Sequence, residues 1–229
     1  MILDDEDILI QTATVDLARY VMVDLGLPSG LKWADRNIGA SSPEDTGLYF
    51  QWGDTIGYTA NQLGRDKVFD WKSYFDTTDG GDTFNKYNDG GYLTVLESID
   101  DAATVNMGSQ YRMPTKEEIK ELINNTIQTF INLDGDEYSK YEAQNGDIER
   151  GKLKGVRFTG SNGNSIFIPA AGFCNESSLG GVGIFGTLLS SSLSGRYDGF
   201  VRCLNFFFDG DIYDNSDARK YGLSIRGVE

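Results

Sequence analysis

No histidine occurs anywhere in the 229 residues. That absence excludes Ser-His-Asp chemistry, imidazole-bound zinc and His general bases together. Cysteine is nearly as scarce: Cys174 and Cys203 are too far apart in sequence for CxxC chemistry, and the spacing leaves a disulfide and two free thiols equally open. Positive charge is in short supply, with 20 Lys and Arg against 35 Asp and Glu and a net charge of -15. Binding nucleic acid through its phosphates needs a basic surface and is excluded; docking on anionic lipid is disfavoured. No apolar run reaches membrane-spanning length, so no membrane insertion is expected. Only 4 prolines stand against 28 glycines, which favours tight turns and close backbone approaches over stiff linkers. What is present is 39% hydrophobic residues, 12% aromatics and a mean hydropathy of -0.36, enough for a packed core in one large domain or two small ones.

A second absence is local. From Ser177 to Arg219 there is no Lys, Glu, Gln, Met or Trp. These five types make up roughly 15% of the chain, so about six are expected over that length. The segment is instead rich in Tyr, Phe, Arg, Asn, Asp and Ser. Aromatics and Arg supply contact area and short polar groups adapt their hydrogen bonding, which is the make-up of a binding surface. A glycine-rich terminus that lacks these types for no functional reason is the alternative.

Residues 1–18 carry the acidic cluster DDED and read as a solvated tail or the end of a stalk. They are acidic where an export signal is basic, so no signal peptide is expected. Val21, Val23 and Leu25 alternate as in a strand, a turn follows at Pro28 to Gly30, and Leu31 and Trp33 mark a second strand. Ser42-Pro43-Glu44-Asp45 has the signals of a short helix start, soon stopped by Gly47. Asp54 to Gly91 reads as an irregular insertion pinned by Phe69, Trp71, Tyr74 and Phe84. Asp100 to Gly108 is expected to hold a short helix. Thr115 and Glu118 form a capping box, and Ile119, Leu122 and Ile123 fall on one face of the helix that follows, ending near Asn124 or Asn125. Leu153 to Thr159 and Ser165 to Pro169 read as a hairpin, a glycine-rich loop spans Gly172 to Gly186, and strands are expected at Leu188 to Ser192, Phe200 to Phe208 and Leu223 to Val228. The class is α+β.

Asp134-Gly135-Asp136-Glu137 looks like a cation loop but lacks the other oxygens and the distal Glu of an EF-hand, so a solvated turn is expected. Asp76, Asp79 and Asp82 read as loop acids. Gly180-Gly181-Val182-Gly183 is followed by no Lys-Ser or Lys-Thr and is no phosphate loop.

VDLGLPSGLKWADRNIGASSPEDTGLYFQWGDT, then YRMPTKEEIKELI, FTGSNGNSIFIPAAG, SSSL and YGLSIRGV resemble a Bacteroides-type family, the Fibrobacter succinogenes major paralogous domain. That family is similar to the formylglycine-generating-enzyme branch of the C-type lectin fold. The resemblance spans roughly residues 20 to 228 and implies a C-type lectin-like fold with long irregular insertions, as a domain over 19–229. Some members of the fold are variable proteins of diversity-generating retroelements, in which adenine-directed mutagenesis rewrites a C-terminal segment. Template Asn codons can then yield Tyr, Phe, Ser, Asp, Gly, Arg or Cys, but never Lys, Glu, Gln, Met or Trp, which matches the deficit above. One departure is that relatives carry an aromatic and a Trp before the Ser run, where Leu188 and Leu189 stand here.

The resemblance implies a non-enzymatic receptor-binding protein, set on a phage or prophage tail tip or on a bacterial cell surface, with a variable segment at about 187–221. Its partner would be a bacterial surface protein or glycan, and a homo-oligomer, such as a trimer joined through a stalk, fits that setting. No catalytic residue, cofactor or metal is expected: the paired thiols of formylglycine-generating enzymes have no matching motif around Cys174 or Cys203, and the calcium triplets of sugar-binding lectins are missing. Trp33, Trp52, Leu122, Ile166, Ile168, Leu204, Phe206 and Ile225 are the expected buried framework. The outward, ligand-binding set is Arg196, Tyr197, Asp198, Phe200, Arg202, Asn205, Phe207, Asp211, Tyr213, Asn215 and Asp217. Alternation would turn Val201, Cys203, Leu204 and Phe206 inward, and Phe207 and Phe208 cannot both be buried under it. The competing reading is a Bacteroides cell-surface lipoprotein domain with a structural or carbohydrate-binding role.

Overall fold

Tyr20 is the first residue that the computed structural model describes; the described residues are 20–77, 79–81, 83–88, 91–195 and 197–229. The expected tail at 1–18 therefore lies outside them, as do Arg196 and Asp82. Strands β1 (Met22–Asp24) and β2 (Lys32–Ala34) form a hairpin in which Val23 faces Trp33. Its turn closes with Gly30 N–H on the Leu27 carbonyl at 2.9 Å, Gly30 lying at φ 75°, where glycine alone is unstrained.

No helix forms at Ser42, contrary to the sequence signals. The Asp45 carboxylate turns back to accept from the Ser41 N–H and hydroxyl at 3.0 and 2.9 Å, so it closes a turn instead of capping a helix. Gly47 sits at φ 71°, and a Cβ there would lie 2.5 Å from the Ile38 carbonyl, which ends any helix at once.

Strand β3 (Tyr49–Phe50) leads into the irregular stretch, where Phe69, Tyr74 and Phe84 are buried anchors as expected and Trp71 packs edge-on against Tyr74 and Phe84. Helix α1 (Ala102–Met107) follows, and then α2 (Lys116–Asn124), which carries the capping box: Thr115 Oγ1 accepts from Glu118 N–H at 3.3 Å, and Thr115 N–H donates to Glu118 Oε2 at 2.8 Å. Ile119 and Leu122 are fully buried.

Two sheets flank α2. The first is antiparallel, built from β4 (Ile127–Asn132), β5 (Glu137–Ser139), β6 (Leu153–Thr159) and β7 (Ser165–Pro169) in the order β5-β4-β6-β7. The β6–β7 hairpin was legible in sequence; β4, β5 and the short helix α3 (Lys140–Gln144) were not. Within the glycine-rich stretch lies a small hairpin of β8 (Phe173–Asn175) and β9 (Ser178–Gly180). The second large sheet contains β10 (Phe185–Leu193), β11 (Phe200–Phe207), β12 (Ile212–Ala218) and β13 (Leu223–Ser224) in the order β12-β11-β10-β13-β3, antiparallel except where β10 meets β13. The architecture is thus α+β and mostly antiparallel sheet. Strand β12 is a further unanticipated element: its sequence, IYDNSDA, is polar between its ends.

One core joins α2, the four-stranded sheet and Leu188, Leu204, Phe206 and Ile212 of the five-stranded sheet. Another gathers Trp52, Tyr87, Leu96 and Ile225 around Leu189, Leu193 and Val201. Leu188 and Leu189 each fill a different core. All eight expected framework residues are buried.

Candidate functional site

The C-terminal sheet positions the residues singled out by composition. Strands β11 and β12 pair in unbroken register from Phe200 opposite Ala218 to Phe206 opposite Ile212, and β10 pairs with β11 from Phe185 opposite Phe207 to Leu189 opposite Cys203. Beyond Leu189 the register jumps, so that Leu193 faces Val201 and Ser190 to Ser192 bulge out of the ladder. Small hydroxyl side chains suit this place because they satisfy the backbone that the bulge frees. Ser190 Oγ donates to the Arg202 carbonyl at 2.7 Å, Ser191 N–H to the Pro114 carbonyl at 2.8 Å, and Ser192 Oγ accepts from Lys116 N–H at 3.2 Å. The SSSL run is framework for that reason.

Side chains alternate across a sheet, and the register assigns each to a face. Cys203, Asn205 and Phe207 share one face with Thr187, Tyr213, Asn215 and Asp217. Arg202, Leu204 and Phe206 share the other with Asp214 and Ser216. Each face is core at one end and open at the other. Val201 is roofed on the first face by the Trp52 core, while Leu204 and Phe206 are covered on the second by α2 and the four-stranded sheet. Cys203 and Leu204, though adjacent, are both fully buried in consequence, as expected for each, and the two open ends form two clefts on opposite faces.

The first cleft has a volume of about 240 Å³. Phe173, Phe185, Phe207 and Tyr221 wall it; Thr187, Asn205 and Leu223, its most buried members, make the floor; Asn215 and Asp217 close the side toward the sheet edge. The rings run in a row that extends past the cleft to Tyr213, with centroids 5.9 Å apart for Tyr213 and Phe207, 5.5 Å for Phe207 and Phe185, 5.7 Å for Phe185 and Phe173, and 5.1 Å for Phe173 and Tyr221. Asp217 Oδ2 accepts from Asn205 Nδ2 at 3.2 Å and from the Cys203 thiol at 3.1 Å. Asn205 Oδ1 is buried without a hydrogen-bond partner. Burial, and then the charges of Asp211, Asp209 and Asp217, push the Tyr213 phenol above its ordinary pKa.

The second cleft, about 480 Å³, is lined by Ser194, Tyr197, Phe200, Arg202, Asn215 and Ser216. Tyr197 is 69% exposed and meets Phe200 edge-on at 6.1 Å. Arg202 is tied down by Asp214 and by Ser216 Oγ at 3.2 Å, and Lys120 of α2 approaches the same Asp214 carboxylate at 3.7 Å.

Of the expected outward set, Tyr197, Phe200, Asp211 and Tyr213 are exposed, and Asp198, Arg202, Phe207, Asn215 and Asp217 are half-buried. Arg196 lies outside the described residues. Asn205 is a correction: only 4% exposed, it stands in the cleft floor because its strand has neighbours on both sides and the flanking Phe185, Phe207 and Tyr221 rings rise around it. The outward set does not lie on one face of the sheet. Arg202 and Asn205 differ in parity, so pairing sends them to opposite sides. Phe207 and Phe208 are each half-buried, the strand ending between them. Sequence reasoning missed Thr187, Phe173, Phe185 and Tyr221 as site residues; the row of rings they join is assembled across strands distant in sequence.

Both cysteines are buried and free, and no group of three or more His, Cys, Asp or Glu among the described residues could hold a metal ion. Asp134 to Asp136 form the turn before β5, in which Asn132 Oδ1 accepts from the Asp134 and Asp136 N–H groups at 3.0 and 2.8 Å, and Glu137 begins the strand. No helix among the described residues is long and apolar enough to cross a membrane. No known protein family, curated protein or solved structure matches the chain.

Proposed function

We propose that the protein is a non-enzymatic binding domain whose residues 187–221 form an interchangeable recognition surface on a C-type lectin-like scaffold. Phage or prophage adsorption, with a bacterial surface molecule as the partner, is the setting that best fits the segment's residue usage. One observation carries the reading: exposed and half-buried polar and aromatic side chains line two open clefts, while the backbone beneath them is held mainly by ladder and bulge bonds, Arg202 alone among the named cleft residues adding a bond to a strand carbonyl, that of Asp214. Ladder pairing fixes β11 and β12, and the Ser190 to Ser192 bulge is clasped by Pro114, Lys116 and Trp52. A side chain at Tyr197, Phe200, Tyr213 or Asn215 can therefore change without a change in the frame.

Sequencing sibling copies of the gene from one population tests this. Differences should concentrate at 187–221 and spare Leu188 to Leu193, Leu204 and Phe206. Differences spread evenly along the chain would return the protein to an invariant surface domain.

A further inference from the structure

We propose that the aromatic cleft between β8, β10 and β11 binds a cationic side chain, the guanidinium or ammonium of an arginine or lysine on a partner protein. The inference rests on residues 187–221 being a recognition surface and names the chemistry that one of its clefts takes.

Three independent observations point there. The walls are aromatic: Phe173, Phe185, Phe207 and Tyr221 line a space of about 240 Å³ in edge-on and tilted contacts with one another, and π systems are what a cation entering it would meet. The polar lining is rich in acceptors. The Asp217 carboxylate borders the cleft, and Asn205, 4% exposed, has committed its amide N–H to Asp217 while its Oδ1 has no partner. A buried acceptor left unpaired is costly, and an N–H donor seated on the floor relieves it with a small side-chain adjustment. The surrounding field is negative: Asp209, Asp211 and Asp217 all act on the Tyr213 phenol, which stacks on Phe207 just past the cleft, and the chain as a whole carries a charge of -15. Among the described cations beside this sheet, Arg202 and Lys120 meet Asp214, Arg219 pairs with Asp76, and Lys220 already lies over the Tyr221 ring at 5.3 Å, a cation on one of the cleft's own wall rings. A neutral sugar would stack on the rings and donate hydroxyls to Asp217, but it would form no ion pair and gain little from the wider negative field.

The test is titration of the protein, followed by NMR, with Nα-acetyl-arginine amide, Nα-acetyl-lysine amide, the neutral isostere Nα-acetyl-citrulline amide, and methyl glycosides. The expected result is that the arginine and lysine probes shift the Tyr221 and Phe207 resonances and that the citrulline probe binds about tenfold more weakly or worse. Binding should weaken as salt rises from about 0.05 to about 0.5 M. D217N should lose at least about tenfold in affinity, and Phe207→Leu, which keeps apolar area but removes a π face, should lose several-fold while folding normally. Equal binding of citrulline and arginine, binding by glycosides alone, or no binding by any probe overturns the inference. Glycoside binding at this cleft would leave the recognition surface standing and change only its ligand; sibling copies that differ evenly along the chain would remove the surface itself.

Discussion

Trp52 donates its indole N–H to the carbonyl of Ser190 at 2.8 Å, across 138 residues of sequence, and neither residue has any exposed surface. That bond ties the bulge in β10 to the core formed early in the chain. It sets where β11 begins to pair again, and so where the second cleft opens.

Trp52→Phe keeps a six-membered ring and removes the pyrrole ring together with its N–H donor, so a small cavity adds to the lost bond. The Ser190 carbonyl then has no partner in a dry site, at a cost of about 1–3 kcal/mol. Urea denaturation should show that loss, with the largest chemical-shift changes at Ser190 to Leu193. An unchanged midpoint would mean that the bulge holds itself.

Arg219 is fully buried between Trp52 and Phe84, its guanidinium 5.1 and 4.2 Å from their ring centroids and 3.3 Å from the Asp76 carboxylate. Asp76 also accepts from the Lys86 and Tyr87 N–H groups at 2.7 and 3.1 Å. Arg219→Met leaves that carboxylate buried without its counter-charge and should cost about 3–5 kcal/mol. Adding Asp76→Asn should recover part of the loss. Strict additivity of the two substitutions in a double-mutant cycle would show that the pair is not coupled.

Tyr213 and Phe206 sit seven residues apart and on opposite faces of the sheet. Tyr213 is 41% exposed, and Tyr213→Ala should change stability by less than about 1 kcal/mol while reducing capture of the natural partner. Phe206 has no exposed surface, and Phe206→Ala should cost about 3–5 kcal/mol. A large drop in melting temperature for Tyr213→Ala would place its ring in the fold and not in the recognition surface.

The thiols give a pH signature. Burial pushes Cys174 from an ordinary 9.0 up to about 12, and burial, followed by the charge of Asp217, pushes Cys203 well above the same value. Folded, both stay protonated where the unfolded thiols ionise. The contribution of Cys174 is complete below pH 9.0 and is lost as pH rises from there through about 12, and that of Cys203 falls in the same direction above pH 9.0. Each thiol steepens the fall by up to about 1.4 kcal/mol per pH unit inside that window. Urea melts at successive alkaline pH values should show the decline, and Cys174→Ala should flatten it. Iodoacetamide at neutral pH should label neither cysteine until denaturant is added; rapid native labelling would contradict their burial.

Elements written in local chemistry were legible. The Thr115–Glu118 capping box, the β6–β7 hairpin and the alternation around Trp33 depend on residues a few positions apart. The same local signals misled at Ser42, where Asp45 had a nearer donor in Ser41 than any helix could offer. Strand β12 had little local signal: Asp214, Asn215, Ser216 and Asp217 have little strand propensity, and they extend because β11 presents a ladder for them. Asn205 reads as a surface residue in sequence and is a floor residue in the fold, because the Phe185 ring arrives from β10 and the Tyr221 ring from the connection between β12 and β13.

Sequence alone determined the parity of Phe200 to Phe207, the capped helix that packs behind them and the narrow residue usage of the segment, since alternation, capping and composition are properties of neighbouring residues. Tertiary structure decided which end of each face is covered. α2 and the four-stranded sheet close over Leu204 and Phe206, the Trp52 core closes over Val201, and the uncovered ends become clefts. Covering is a contact between segments far apart in the chain, and no local pattern encodes which distant surface will arrive.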